Sequence, residues 1–225
     1  MSTALSALRG LCISPEYRAI VVREGILDPL VLMSRSEDVN VLREVASALN
    51  NLSSVEENKM EISDRGMCTI IGLMLSGDTV VERHAVCACA NLMESLELNS
   101  RLIEERGVAP LVALASNDDL NSRGEACRCL ANLTVNPDVH QVLIREGCLE
   151  ALVGSLGSSE LNCQRYASLS LANLATTVAA QVKIIQSGAV SPLIMLALNP
   201  IHQIEARRYA VLAVASKFCF FCSML

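Results

Sequence analysis

Tryptophan is absent from this 225-residue chain, and tyrosine and phenylalanine supply three residues each, so aromatics make up 3% of a sequence that is 52% hydrophobic. Globular cores usually gain much of their burial from large rings. A chain this rich in Leu, Ala and Val points instead to many closely packed helices. Basic charge is also in deficit. The formal net charge is -6, which excludes a general nucleic-acid binder, because phosphate contacts need a basic surface; a local basic stripe is still compatible with it. No stretch reaches the ~18 uncharged apolar residues of a membrane span. The opening MSTALSALRG lacks the basic region and long apolar run of a secretory signal.

The ten cysteines are therefore not read as a disulfide framework. Cys68, Cys89, Cys127, Cys129, Cys148 and Cys163 fall inside apolar helical patterns, where a free thiol acts as a small buried hydrophobe. The expected setting is reducing and cytoplasmic. Catalytic and metal chemistry find no foothold. His84, His140 and His202 belong to separate helices or loops, and no phosphate-cradling glycine loop is present. The C-x-C pairs Cys87/Cys89 and Cys127/Cys129 project roughly 200° apart on a helix and cannot close a tetrahedral site. Neither an enzyme, a metal nor a cofactor is expected.

What the chain does have is self-similarity. REGILDPLVLMS, DRGMCTIIGLML, ERGVAPLVALAS, REGCLEALVGSL and QSGAVSPLIMLA share a charged or polar residue, then glycine, then an apolar run. Their glycines, Gly25, Gly66, Gly107, Gly147 and Gly188, are spaced 41, 41, 40 and 41 residues apart. A second landmark keeps step: LNNL, CANL, LANL and LANL place Asn51, Asn91, Asn132 and Asn173 at spacings of 40, 41 and 41.

Each block reads as three helices. Ser14-Pro15 and Asn136-Pro137 have the N-cap and first-position proline of a helix start. The glycine is expected to end the first helix, where a residue without a Cβ can turn the chain. Pro29, Pro110 or Pro192 often opens the second helix. The third is the longest, with apolar residues at −10, −6, −2 and +1 from the Asn, as in Val81, Ala85, Cys89 and Leu92 around Asn91. Alanine recurs at −6 as Ala85, Ala126, Ala167 and Ala210. One block cannot bury its own apolar face, whereas stacked blocks bury a continuous one. The expected organisation is a partial unit at 2–13, holding only a third helix. Five full units then follow at 14–53, 54–94, 95–135, 136–176 and 177–217, with an apolar tail at 218–225.

A period near 41, three helices, a glycine between the first two and an asparagine late in the third together resemble the armadillo-repeat family. EGILDPLVLM and CLANLTVNPDVHQVLIREG carry the resemblance, which covers residues 2–216. Within the family the chain looks most like proteins of the vacuolar protein 8 type. The resemblance implies an all-α, right-handed superhelical solenoid whose third helices line a concave, peptide-binding groove.

Positions 0, −4 and −7 from the Asn share one helix face, opposite the apolar stripe. They are Asn51, Ser47 and Glu44; Asn91, Cys87 and His84; Asn132, Arg128 and Glu125; Asn173, Leu169 and Tyr166; and Ser216, Leu212 and Tyr209. An amide can hold a peptide bond without reading its side chain. Each Asn would meet roughly every third residue of an extended ligand, and five units would hold on the order of 15. The alternative is that these amides only join adjacent repeats. A second ladder at −8, Arg43, Arg83, Arg165 and Arg208, with Gly124 the exception, suggests an acidic or phosphorylated ligand. The alternative is inter-repeat pairing with residues such as Glu44 or Glu125. Nuclear import adaptors place Trp at −4; Ser47, Cys87, Arg128 and Leu169 stand there instead, which argues against their basic cargo.

Two readings compete for the tail FCFFCSML. It is a prenylation signal at Cys222 with Cys219 as a second acylation site, or the product of a truncated gene model. Ser2 follows the initiator Met, so N-myristoylation is not expected, and a membrane enters only if these C-terminal cysteines are lipidated. The expected role is a non-catalytic scaffold or adaptor for extended protein segments. The alternatives are the armadillo arm of a larger regulatory protein such as a ubiquitin ligase, and a lipid-anchored tether of an organelle such as the vacuole.

Overall fold

The computed structural model describes the backbone of residues 10–222 and the side chains of residues 10–215. Every regular element among the described residues is helical. They are α1 (Pro15–Arg23), α2 (Leu27–Met33), α3 (Val39–Ser53), α4 (Glu56–Leu73), α5 (Thr79–Leu92), α6 (Asn99–Glu104), α7 (Val108–Leu114), α8 (Leu120–Leu133), α9 (His140–Arg145), α10 (Cys148–Leu156), α11 (Leu161–Leu174), α12 (Val178–Gln186), α13 (Val190–Leu198) and α14 (Ile204–Cys222). Short 3-10 turns, Leu96–Leu98 and Pro137–Val139, lead into α6 and α9. No single described helix is long and apolar enough to cross a membrane.

The chain divides into two compact units, Met1–Pro110 and Leu111–Leu225. In the first, α3 packs along α5; in the second, α8 packs along α11 and α11 along α14. These are the third helices, and their contact stripe is sealed. Val81, Ala85, Cys89 and Leu92 are 0% exposed, as are Ala126, Leu130 and Leu133 in α8 and Ala167, Leu171 and Leu174 in α11. Alanine at −6 keeps neighbouring backbones close; a larger side chain there would overpack the seam by roughly 1–3 kcal/mol.

The third helices start by a shared device. An acid at −13 accepts from backbone N–H groups of the first turn: Asp38 from Asn40 (2.9 Å), Asp78 from Val80 and Val81 (3.1 and 3.0 Å), Asp119 from Ser122 (2.8 Å) and Glu160 from Cys163 (2.7 Å). Each satisfies donors that no carbonyl within the helix can reach. Two residues earlier Ser36, Ser76, Asn117 or Ser158 accepts from the acid's own N–H.

A second ladder closes the other end. The first helix of each block sends a side chain back six residues to the carbonyl that ends the preceding third helix. Arg18 Nε reaches Cys12 O (2.9 Å), Asn58 Nδ2 Leu52 O (3.0 Å), His140 Nε2 Thr134 O (2.8 Å) and Gln181 Nε2 Ala175 O (2.8 Å). Asn99 holds the same register, but its amide N and O are buried without a hydrogen-bond partner.

The glycine corner departs from expectation at two of five places. Gly25, Gly147 and Gly188 take left-handed φ values of 84, 87 and 77°. Gly66 does not, and α4 runs unbroken through it from Glu56 to Leu73; glycine permits a left-handed turn without compelling one. In the third block the left-handed residue is Arg106 (φ 58°). Gly107 is instead a close-packing position, where a Cβ would lie 2.3 Å from Leu102 Cδ1 and 2.9 Å from Ile71 Cδ1.

Candidate functional site

The face opposite the sealed stripe stays open along every described third helix. Glu44, Ser47 and Asn51 on α3, His84, Cys87 and Asn91 on α5, Glu125, Arg128 and Asn132 on α8, Tyr166, Leu169 and Asn173 on α11, and Tyr209 on α14 are all half-buried, and Leu212 is exposed. Ser216, Cys219 and Cys222 lie outside the residues whose side chains are described.

The asparagine amides are partly spent on the neighbouring repeat. Asn91 Nδ2 donates to Ser53 Oγ (3.1 Å) and lies 3.4 Å from both Asn50 O and Asn50 Oδ1. Asn173 Nδ2 donates to Thr134 Oγ1 (3.2 Å) and lies 3.4 Å from Ala131 O. Each amide thus pins its helix to the end of the one before. In the first unit Asn50 Nδ2 also contacts His84 Nδ1 (3.4 Å). Burial, helped by the Arg83 charge and opposed by Glu44, lowers the His84 pKa and so favours the neutral imidazole.

The arginine flank is less basic than its ladder suggests. Arg43 forks onto Asp78, Nη2 to Oδ2 at 2.7 Å and Nε to Oδ1 at 3.2 Å. Arg165 pairs with Glu205 (2.8 Å) and stacks over the Tyr166 ring at 5.3 Å. Arg128 pairs with Glu125 one turn away (2.7 Å). At Gly124 no arginine is present, and the Glu160 carboxylate packs over the bare backbone, 3.1 Å from where a Cβ would stand. Arg208 is exposed. Arg43 and Arg165 are thus committed to acids that begin the next third helix, which neutralises them for an incoming anion. Arg43 in turn holds the Asp78 carboxyl at about 2, with the Val81 N–H adding to the effect.

The eight described cysteines are free thiols. Cys68 departs from expectation. It is exposed and donates to Glu105 Oε2 at 2.9 Å. Among the described residues no group of His, Cys, Asp and Glu could hold a metal ion.

Residues 14–54 and 100–135 match the Armadillo/beta-catenin-like repeat. An engineered protein of known structure is 27% identical with a TM-score of 0.86, over 95% of this chain and 90% of its own. A designed armadillo repeat protein in complex with the peptide (KR)4 is 25% identical with a TM-score of 0.86, over 96% and 92%. A computationally designed armadillo repeat protein for modular peptide recognition is 24% identical with a TM-score of 0.89, over 96% and 92%. This is the armadillo-repeat fold. No curated protein matches the sequence.

Within the repeats, two sets of residues escaped the sequence reading. The acids Asp38, Asp78, Asp119 and Glu160 stand 40, 41 and 41 residues apart, and Arg18, Asn58, Asn99, His140 and Gln181 stand 40, 41, 41 and 41 apart. Their spacing was the available signal. It was masked in the second set because four different side-chain types do one job.

Proposed function

We propose that this chain is a non-catalytic scaffold or adaptor that holds extended peptide segments of other proteins on the third-helix face of its armadillo repeats. The observation that carries the reading is the contrast around each third helix: positions 0, −4 and −7 stay half-buried to exposed while the opposite stripe is 0% exposed in α5, α8 and α11. Side chains that protein packing does not require are the ones left to meet a ligand. The resemblance to a designed armadillo protein in complex with a peptide supports the same use. The two faces differ in chemistry. That of the first unit presents Glu44, Ser47, His84 and Asn91; that of the second presents Tyr166, Leu169, Tyr209 and Leu212.

A cytoplasmic adaptor related to the vacuolar protein 8 type is the finer form of this proposal, and its support is the sequence resemblance and the free thiols. The acidic or phosphorylated ligand draws support from Arg208, which is exposed, but little from Arg43 or Arg165, which are paired.

The test is affinity capture followed by mass spectrometry, comparing wild type with Ser47→Glu plus Leu169→Glu and with Asn91→Ala plus Asn132→Ala. Thermal melts would confirm that each variant is folded. Loss of a defined set of partners in both variants is expected. Identical partner sets in folded variants would refute use of this face.

A further inference from the structure

Gly124, which stands in the −8 register where other third helices carry arginine, lets α8 and α11 of the second unit approach closely. A Cβ at Gly124 would lie 3.7 Å from Asn162 Cβ and 3.8 Å from Cys163 Sγ. Cys163 Sγ also reaches Leu120 O at 3.7 Å. Leu120, Gly124 and Cys127 follow at i, i+4 and i+7 and share one face of α8. The Cys163 sulfur therefore rests on the stripe that Cys127 continues. The two thiols interact directly, and both residues are 0% exposed. The equivalent positions, −5 on one third helix and −10 on the next, hold Ala46 and Val81 in the first unit. Across the seam between α11 and α14 they hold Ser168 and Ala206. All four are also 0% exposed, so a seam closes without sulfur at either position.

We propose that Cys127 and Cys163 are a modification site: hydrogen peroxide joins them in a disulfide that clamps consecutive repeats of the second unit. The hydrogen bond from Cys163 lowers the Cys127 thiol, so Cys127 is the sulfur that ionises first. Its thiolate attacks one peroxide oxygen and the O–O bond breaks. The sulfur becomes a sulfenic acid, and the departing hydroxide takes the thiol proton to leave as water. The Cys163 sulfur then attacks the sulfenic sulfur. The S–S bond forms, the S–O bond breaks, and the second hydroxide leaves as water with the Cys163 proton. Two thiols are oxidised and one peroxide is reduced to two waters. The oxidant reaches the pair through local opening of the seam, so the pair reacts more slowly than the exposed Cys68. The clamp is independent of the peptide face, so either assignment can fail alone.

The test treats the full chain with hydrogen peroxide, then denatures it in the presence of iodoacetamide and maps its peptides without reduction. Digestion after both Arg and Glu puts Cys127, Cys129, Cys148 and Cys163 on separate peptides. A linked pair of the Cys127 and Cys163 peptides is expected, and dithiothreitol should release it. The oxidised chain should melt roughly 5–10 °C higher than the reduced one. Cys148→Ser should keep both effects, and a folded Cys163→Ser should lose both. The wild-type map needs no variant, so a substitution that fails to fold cannot mask the answer. Cys127 and Cys163 both recovered as alkylated thiols overturn the proposal. So does Cys127 recovered as sulfinic acid or linked to another cysteine, or a Cys127–Cys163 link that leaves the melting temperature unchanged.

Discussion

Replacing Asn58 and Asn99 by leucine, one at a time, should move stability in opposite directions. The two residues hold equivalent places one repeat apart, both in the first unit, at 2% and 0% exposure. Asn58 Nδ2 donates to Leu52 O (3.0 Å) and Arg18 O (3.1 Å). Leucine has the same branched heavy-atom skeleton as asparagine but makes neither bond. At a net ~0.5–1.5 kcal/mol per hydrogen bond, and with two carbonyls left wanting, Asn58→Leu should cost about 1–3 kcal/mol. Asn99 gains nothing for its buried amide, and an unsatisfied buried polar group costs a similar ~1–3 kcal/mol. Asn99→Leu removes that cost and should stabilise by roughly 1 kcal/mol or more. The assay is urea unfolding followed by circular dichroism. The midpoints should shift to lower urea for Asn58→Leu and to higher urea for Asn99→Leu, with the slope unchanged. If both variants lose stability equally, Asn99 is hydrogen-bonded in solution and the argument fails.

The two central glycines should also diverge. A Cβ at Gly66 meets only ordinary contacts, 3.7 Å from Ile62 Cγ2 and 3.9 Å from Leu49 Cδ2, so Gly66→Ala should stabilise by about 0.5–1 kcal/mol. Gly107→Ala must displace Leu102 and Ile71 and should cost about 1–3 kcal/mol; thermal melts would compare them. Asp78→Asn keeps a good N-cap but loses the Arg43 pair. Because the pair holds the Asp78 carboxyl at about 2, its contribution is full above the ordinary carboxylate range and disappears as pH falls towards 2. The wild-type advantage over Asp78→Asn in urea should therefore be constant near neutrality and shrink to nothing by about pH 2. Burial pushes the Cys148 thiol up to about 12, and Glu105 raises the exposed Cys68. Iodoacetamide should therefore modify Cys68 well before Cys148, and faster in Glu105→Gln, as read by peptide mass mapping.

The helical stripes, the −6 alanines and three left-handed glycines were legible because each depends on residues a few places away along one helix. The fused helix through Gly66 was not, since a glycine's tolerance for a corner says nothing of whether the backbone takes one. Nor was the fate of the arginines. Inter-repeat pairing was one of two open readings, but the partners, Asp78 for Arg43 and Glu205 for Arg165, were not among the residues it named. The register of the asparagines was plain in the sequence, but their bonds to Ser53 and Thr134 needed the preceding helix end in place.

Asp78 initiates α5 through Oδ1 and, through both carboxylate oxygens, anchors α3 by way of Arg43. Fraying of that one turn therefore withdraws the counter-ion from the neighbouring block, and any event that frees Arg43 loosens the turn. Local openings should spread across the seam as one event, and hydrogen exchange at Val80 and Val81 should report on both blocks at once.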